Sequence, residues 1–185
     1  MDERLPALFD AHADRLYRLA RRLTPSVDDA LDLVQDTFLR AAKAPASIPA
    51  GARDEEAWLV RVLVNIRRDQ WRKAAVRQRY EPLVTHQEPT GNPENSLLAR
   101  TAVWKALDAL RPRRRAIIVM AELDGRPVAE IAALLGISAI TVRWHLSRGR
   151  RELTRRLSLE LGDTDAQPQA GLAGRRPASS RSIAP

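Results

Sequence analysis

Apolar residues in this chain recur at helical spacing in both halves, and between the halves lies a stretch that no core can absorb. Leu5, Leu8, Phe9, His12, Leu16, Leu19 and Leu23 trace one helix. Thr24-Pro25 interrupts it, and Ser26 ahead of Asp28 and Asp29 reads as an N-cap with acid in the first turn. The next helix is predicted to carry Leu31, Val34, Phe38 and Ala42 on one stripe. It is expected to end near Lys43, because Pro45, Pro49 and Gly51 follow. A third helix is predicted from about Asp54 to Arg79, with Leu59, Val62, Leu63 and Ile66 inward. Residues 81–96, EPLVTHQEPTGNPENS, hold three prolines, a glycine and many polar groups, and cannot bury enough apolar surface to fold. Beyond them the pattern predicts helices over about 93–110, 111–123, 127–135 and 138–159, with Asp124-Gly125 as a turn. The fold class is therefore all-α: two small helical domains, 1–80 and 97–161, joined by a flexible linker, 81–96. The segment 162–185, rich in Ala, Gly, Pro, Ser and Arg, reads as a disordered tail.

The charge is unevenly spread. The net charge is +8, yet residues 97–161 alone hold 13 Lys and Arg against 6 Asp and Glu, a net of +7. A field concentrated in that way attracts phosphate backbones. Several chemistries are excluded. Cysteine is absent, which removes disulfides, a thiol nucleophile and a cysteine zinc site. His12, His86 and His145 stand far apart in sequence, and no Gly-rich phosphate loop or nucleophile elbow occurs. No enzyme activity, metal or cofactor is expected. No run of 18 apolar residues exists, and the start MDERLPALFD lacks the basic and apolar stretches of a signal peptide. A cytoplasmic protein without membrane insertion is the expectation.

The most informative motif is VAEIAALLGISAITVRWHLSRGR, residues 128–150. Ile131, Leu134 and Leu135 give one helix an inward face, and Ala132 is small where a second helix must cross. Gly136 supplies a turn that tolerates positive φ, Ile137 plugs the corner, and Ser138 can cap the second helix. Val142, Leu146, Gly149 and Leu153 line that helix's inner side, so Ile140, Arg143, Trp144 and Ser147 face out. This is a helix-turn-helix: the second helix's first turns meet base edges, and its basic end meets phosphates. Arg143 is long enough to reach guanine bidentately. Arg113, Arg114 and Arg115 offer a candidate second phosphate contact.

Three segments, in this order, carry a family resemblance: DALDLVQDTFLRAAK, EEAWLVRVLVNIRRDQWRK and ALRPRRRAIIVMAELDGRPVAEIAALLGISAITVRWHLSRGRREL. Over about residues 5–157 the chain resembles the extracytoplasmic-function (ECF) alternative sigma factors. The resemblance implies a first domain, region 2, that binds the polymerase clamp and opens promoter DNA, and a second, region 4, that reads the −35 element. Leu31, Asp32, Gln35 and Asp36 match the clamp-binding pattern, and their acidic and amide groups suit a basic partner. Arg61, Asn65, Arg68 and Arg72, at steps of four, three and four, match the −10 reader, with Lys73 extending its basic end. Ser138, Ile140, Thr141, Arg143, Trp144, Ser147, Arg148, Arg150 and Arg151 are the implied −35 contacts. Trp144 and His145 depart from the pattern, and the loop 44–53, which in the family holds a flipped base, has no aromatic residue. Trp58 and Trp71 stand near enough to stack on a base, though core or interface packing is the commoner role. The implied partners are bacterial core RNA polymerase, promoter DNA and an anti-sigma factor. The alternative is a stand-alone helix-turn-helix regulator whose first domain is a helical sensor.

Overall fold

A computed structural model describes residues 4–80 and 95–162; most of the stretch read as the linker (81–94 of 81–96) and of that read as the tail (163–185 of 162–185) lies outside the described residues. Among the described residues seven α-helices and no strand occur. Helix α1, Arg4–Leu23, buries Leu8, His12, Leu16, Leu19 and Leu23. Phe9, read as part of that face, is instead half exposed, its ring 4.8 Å from the ring of Phe38. Helix α2, Val27–Lys43, starts where expected. Ser26 takes an extended backbone, and its hydroxyl accepts from the Asp29 N–H at 3.0 Å.

The buried stripe of α2 is Ala30, Leu33, Val34, Thr37, Phe38 and Ala41, so Leu31 and Ala42, assigned inward from the sequence, face out. The reason is Thr37. Its hydroxyl donates to the Leu33 carbonyl at 2.7 Å, which satisfies the group locally and lets a nominally polar residue lie inside. Helix α3, Ala52–Tyr80, opens at Gly51 (φ 99), whose carbonyl accepts from the Asp54 and Glu55 N–H groups. It buries Leu59, Val60, Leu63 and Val64, with Val62 and Ile66 half-buried. Helices α1, α2 and α3 form the first bundle.

The second module comprises α4 (Asn95–Asp108), α5 (Pro112–Ile118), α6 (Val128–Leu135) and α7 (Ala139–Gly162). Helix α4 begins inside the stretch read as linker, and α7 runs three residues beyond its predicted end. Helix α5 does not continue regularly to Leu123. At Val119–Leu123 it widens into a π turn, and the Asp124 N–H bonds the Val119 carbonyl at 3.1 Å.

Residues Arg114 and Arg115 are buried, which overturns their reading as phosphate contacts. Arg114 pairs with Glu152 at 2.5 Å. Arg115 pairs with Asp108, and its Nε donates to the Arg22 carbonyl at 2.6 Å. Arg67 donates to the neighbouring Leu23 carbonyl at 2.9 Å. Two guanidiniums thus satisfy carbonyls that the end of α1 leaves unpaired. Burial pushes the pKa of both down from the ordinary arginine value. Arg115 reaches across from the second module to the first. The apolar core follows the same route, because α3 packs on α5 and α6, and α1 packs on α5.

Candidate nucleic-acid interface

Helices α6 and α7 meet at 107°, within the range of a helix-turn-helix. The turn is built by hydrogen bonds that the sequence permits. Gly136 takes the left-handed conformation (φ 62, ψ 41), its N–H bonds the Ala133 carbonyl, and the Ile137 N–H bonds the Ala132 carbonyl at 3.0 Å. That is a Schellman ending, and Ile137 folds back half-buried as its apolar plug. Ser138 then caps α7 by accepting from the Thr141 N–H at 3.1 Å. Val142, Leu146 and Gly149 are buried under α7, and Leu153 is half-buried.

The outer face of α7 is open, as the spacing predicted. Ile140 is 75% exposed and Trp144 52%, with Arg143 and Ser147 exposed beside them. Two guanidiniums lie within cation–π range of the Trp144 indole, Arg148 at 5.7 Å and Arg114 at 5.9 Å from its ring centre. His145 sits edge-on to it at 4.8 Å. Burial first, then the charges of Arg114 and Arg113, lower the His145 pKa, so its neutral form is favoured and it packs as an aromatic wedge.

Beside Trp144 runs a groove of about 670 Å³ lined by Arg111, Arg114, Arg148, Arg151 and Arg155, with Glu152 as its only acid. Arg111 and Arg155 were not singled out from the sequence. The signal was present for Arg155: Trp144, Arg148, Arg151 and Arg155 fall at steps of four, three and four, hence on one stripe. Arg150 departs from this stripe. Its guanidinium turns toward the π turn and pairs with Glu122 at 2.7 Å.

The remaining sequence-derived residues lie on the first module. Arg61, Asn65 and Arg68 of α3 are half-buried, and Arg72 and Lys73 are exposed, one continuous polar strip. Trp58 and Trp71 are half-buried. The loop 44–53 contains a 3-10 turn, Pro45–Ser47, is plugged by buried Ile48, and is tied to α1 where Arg4 donates to the Pro49 carbonyl at 2.5 Å. On α2, Asp32, Gln35 and Asp36 are exposed around Leu31 (52%), flanked by half-exposed Val27 and Leu39. An apolar knob ringed by acid suits a basic protein surface. Among the described residues no helix alone is long and apolar enough to cross a membrane, and no three His, Asp or Glu side chains converge to hold a metal.

Comparison with known proteins gives matches to both halves. Residues 8–77 match the Sigma-70 region 2 family and residues 100–153 the Sigma-70, region 4 family. The chain is 39% identical over 166 residues to the ECF RNA polymerase sigma factor SigL of Mycobacterium tuberculosis, covering 85% of this chain and 90% of the relative. It is 36% identical over 163 residues to SigE of Mycolicibacterium smegmatis, covering 83% of this chain and 61% of the relative. The fold is similar to that of the Bartonella quintana sigma factor RpoE, solved with the anti-sigma factor NepR. The TM-score is 0.53 at 27% identity, over 84% of this chain and 92% of that one.

Proposed function

The chain belongs to the ECF sigma factor family, and from that premise we propose that it binds core RNA polymerase and directs promoter recognition and opening, with no catalysis of its own. Residues 1–80 act as region 2, 97–161 as region 4, 81–96 as the tether and 162–185 as a tail. The exposed face of α2 with Leu31, Asp32, Gln35 and Asp36 docks on the clamp. The α3 strip of Arg61, Asn65, Arg68, Arg72 and Lys73 holds the melted −10 strand by its phosphates and one unstacked base. On the −35 duplex, Ile140, Arg143, Trp144 and Ser147 meet base edges, with Ser138 and Thr141 at the helix start, while Arg148 and Arg151 meet phosphates. Arg150 is a weaker candidate, because Glu122 already holds it.

The observation that carries this reading is the open face of α7, basic and capped by Ser138, on a chain whose first half matches Sigma-70 region 2. That match takes the place of the sensor domain a stand-alone regulator needs. An anti-sigma protein is a fitting partner, since the similar Bartonella quintana factor was solved with one. A cytoplasmic location follows from the same role.

The test is abortive transcription with purified bacterial core polymerase on a pool of promoter fragments. Initiation is expected to require the protein, to be lost in Asp32→Ala/Gln35→Ala, and to be redirected by Arg143 substitutions. Tight sequence-specific binding to duplex DNA by the protein alone, with no core binding and no initiation, would overturn the proposal.

A further inference from the structure

The outward face of α7 carries more apolar surface than phosphate binding needs. Ile140 is the most exposed of the large apolar residues described, and Trp144, one turn on, keeps half its surface open. Four residues apart on one helix, the two form a single apolar step. The step is held in place. The His145 ring lies edge-on to Trp144 at 4.8 Å, and the Arg148 and Arg114 guanidiniums stand near the indole. Arg114 is itself buried and paired with Glu152. At the helix start, the hydroxyls of Ser138 and Thr141 are occupied with each other at 2.8 Å. The apolar pair is therefore what the first turns of α7 present, with exposed Arg143 beside it.

Charge says what this step meets. The groove that opens beside Trp144 sets Arg111, Arg114, Arg148, Arg151 and Arg155 against Glu152 alone. An apolar patch bordered by that much positive charge suits DNA better than a protein partner. Ile140 has no hydrogen-bonding group in its side chain, and Trp144 has a single donor. Guanine, adenine and cytosine offer only donors and acceptors on their major-groove edges. Against those edges the pair would displace water and return almost no hydrogen bonds. Thymine adds a methyl group to its edge. Resting on the promoter-binding reading, we infer that the Ile140–Trp144 step reads thymine methyls in the −35 duplex, beside the base that Arg143 reads. The two residues stand about 6 Å apart along the helix axis. That is close to two base-pair steps of about 3.4 Å each, so the methyls lie within about two base pairs of each other, on either strand. The work is divided: hydrogen bonds from Arg143 for one base, apolar contact for its neighbours.

The test separates the methyl from the base. Core polymerase loaded with the full chain first selects a −35 element from duplexes randomised over that region. Each thymine of the selected element is then replaced by deoxyuridine, which keeps the base's hydrogen bonds and removes only the methyl. Affinity is expected to fall roughly threefold to fivefold at one or two positions, the worth of one buried methyl-sized group. Ile140→Ala and Trp144→Ala should each weaken binding to thymine DNA and erase the uracil penalty at one position. Both side chains are exposed enough for the truncations to leave the fold intact. The inference is overturned by a selected element with no thymine within about two base pairs of the position whose preference Arg143→Ala changes. It is equally overturned by the absence of a uracil penalty, or by a penalty that both variants keep. Variants that bind polymerase poorly yet keep the parent's penalty would make the step a protein contact instead. The sigma reading fails separately. If the chain neither binds core polymerase nor supports initiation, the selection is run with the chain alone. A uracil penalty there, erased by the two variants, keeps the methyl readout without the sigma role. Initiation without any uracil penalty does the reverse, and a chain that selects no DNA in either form overturns both.

Discussion

A Cβ built on Gly149 would stand 2.8 Å from Ile118 Cγ1, 2.9 Å from its Cδ1 and 3.2 Å from Arg114 Cγ. Ile118 is buried and β-branched, so it has little freedom to yield. Alanine in place of a mid-helix glycine contributes roughly 0.5–1 kcal/mol of helix propensity. Overpacking a full core costs about 1–3 kcal/mol. Overpacking wins, and Gly149→Ala is expected to lower the melting temperature by a few degrees, on the order of the 2–4 °C that about 1 kcal/mol shifts a chain of this size. A thermal melt that is unchanged or raised would show that α5 has room to move.

At this scale much was legible. Ser26, Gly136 and Ser138 each perform the capping or turning that their type and place announced, because caps are local chemistry. Arg114 and Arg115 were not legible. Three consecutive arginines after a proline look like a solvated helix start, and only the packing of α5 on α7 and α1 reveals that two of them are inside.

Along an element, the period of a side chain decides what it can reach. The stripe of Trp144, Arg148, Arg151 and Arg155 faces one groove, with Arg111 across it, whereas Arg150 faces Glu122. Each arginine that neutralises a phosphate adds about 0.9 to the slope of log affinity against log salt. Within the polymerase complex on a −35 duplex, Arg155→Ala and Arg148→Ala are each expected to flatten that slope by roughly 1 and weaken all sequences alike. Arg143→Ala should instead change which bases are preferred, at about 1–3 kcal/mol. An Arg155→Ala variant with the parent slope would remove the lower half of α7 from the interface. Helical periodicity found the seven α-helices of the described residues but not their finer geometry. The π turn at Val119–Leu123 leaves no mark on apolar spacing, and the α2 stripe was misread because Thr37 hides its hydroxyl in the backbone.

At the scale of the molecule, the sequence pointed to two bundles on a tether, and the structure adds that the bundles share a core. That continuity was out of reach of pattern reading: Leu134 and Met120 are equally good core residues whether they face their own module or the other. The distinction has a measurable consequence. Leu134 is 5% exposed and lines the cavity with Leu16, Leu19 and Val60. Truncating a buried leucine to alanine costs about 2–5 kcal/mol, depending on how far the site collapses. Amide exchange reports where that loss is felt, since segments that open together lose protection together. Were the modules independent, Leu134→Ala would speed exchange only within 95–162. With a common core, α1 and the middle of α3 should lose protection in the same variant, while the outer turns of α2, which touch neither α5 nor α6 closely, change least. Exchange mass spectrometry on the whole chain separates the two cases, and protection of α1 and α3 identical to the parent would mean that the shared core contributes nothing to stability.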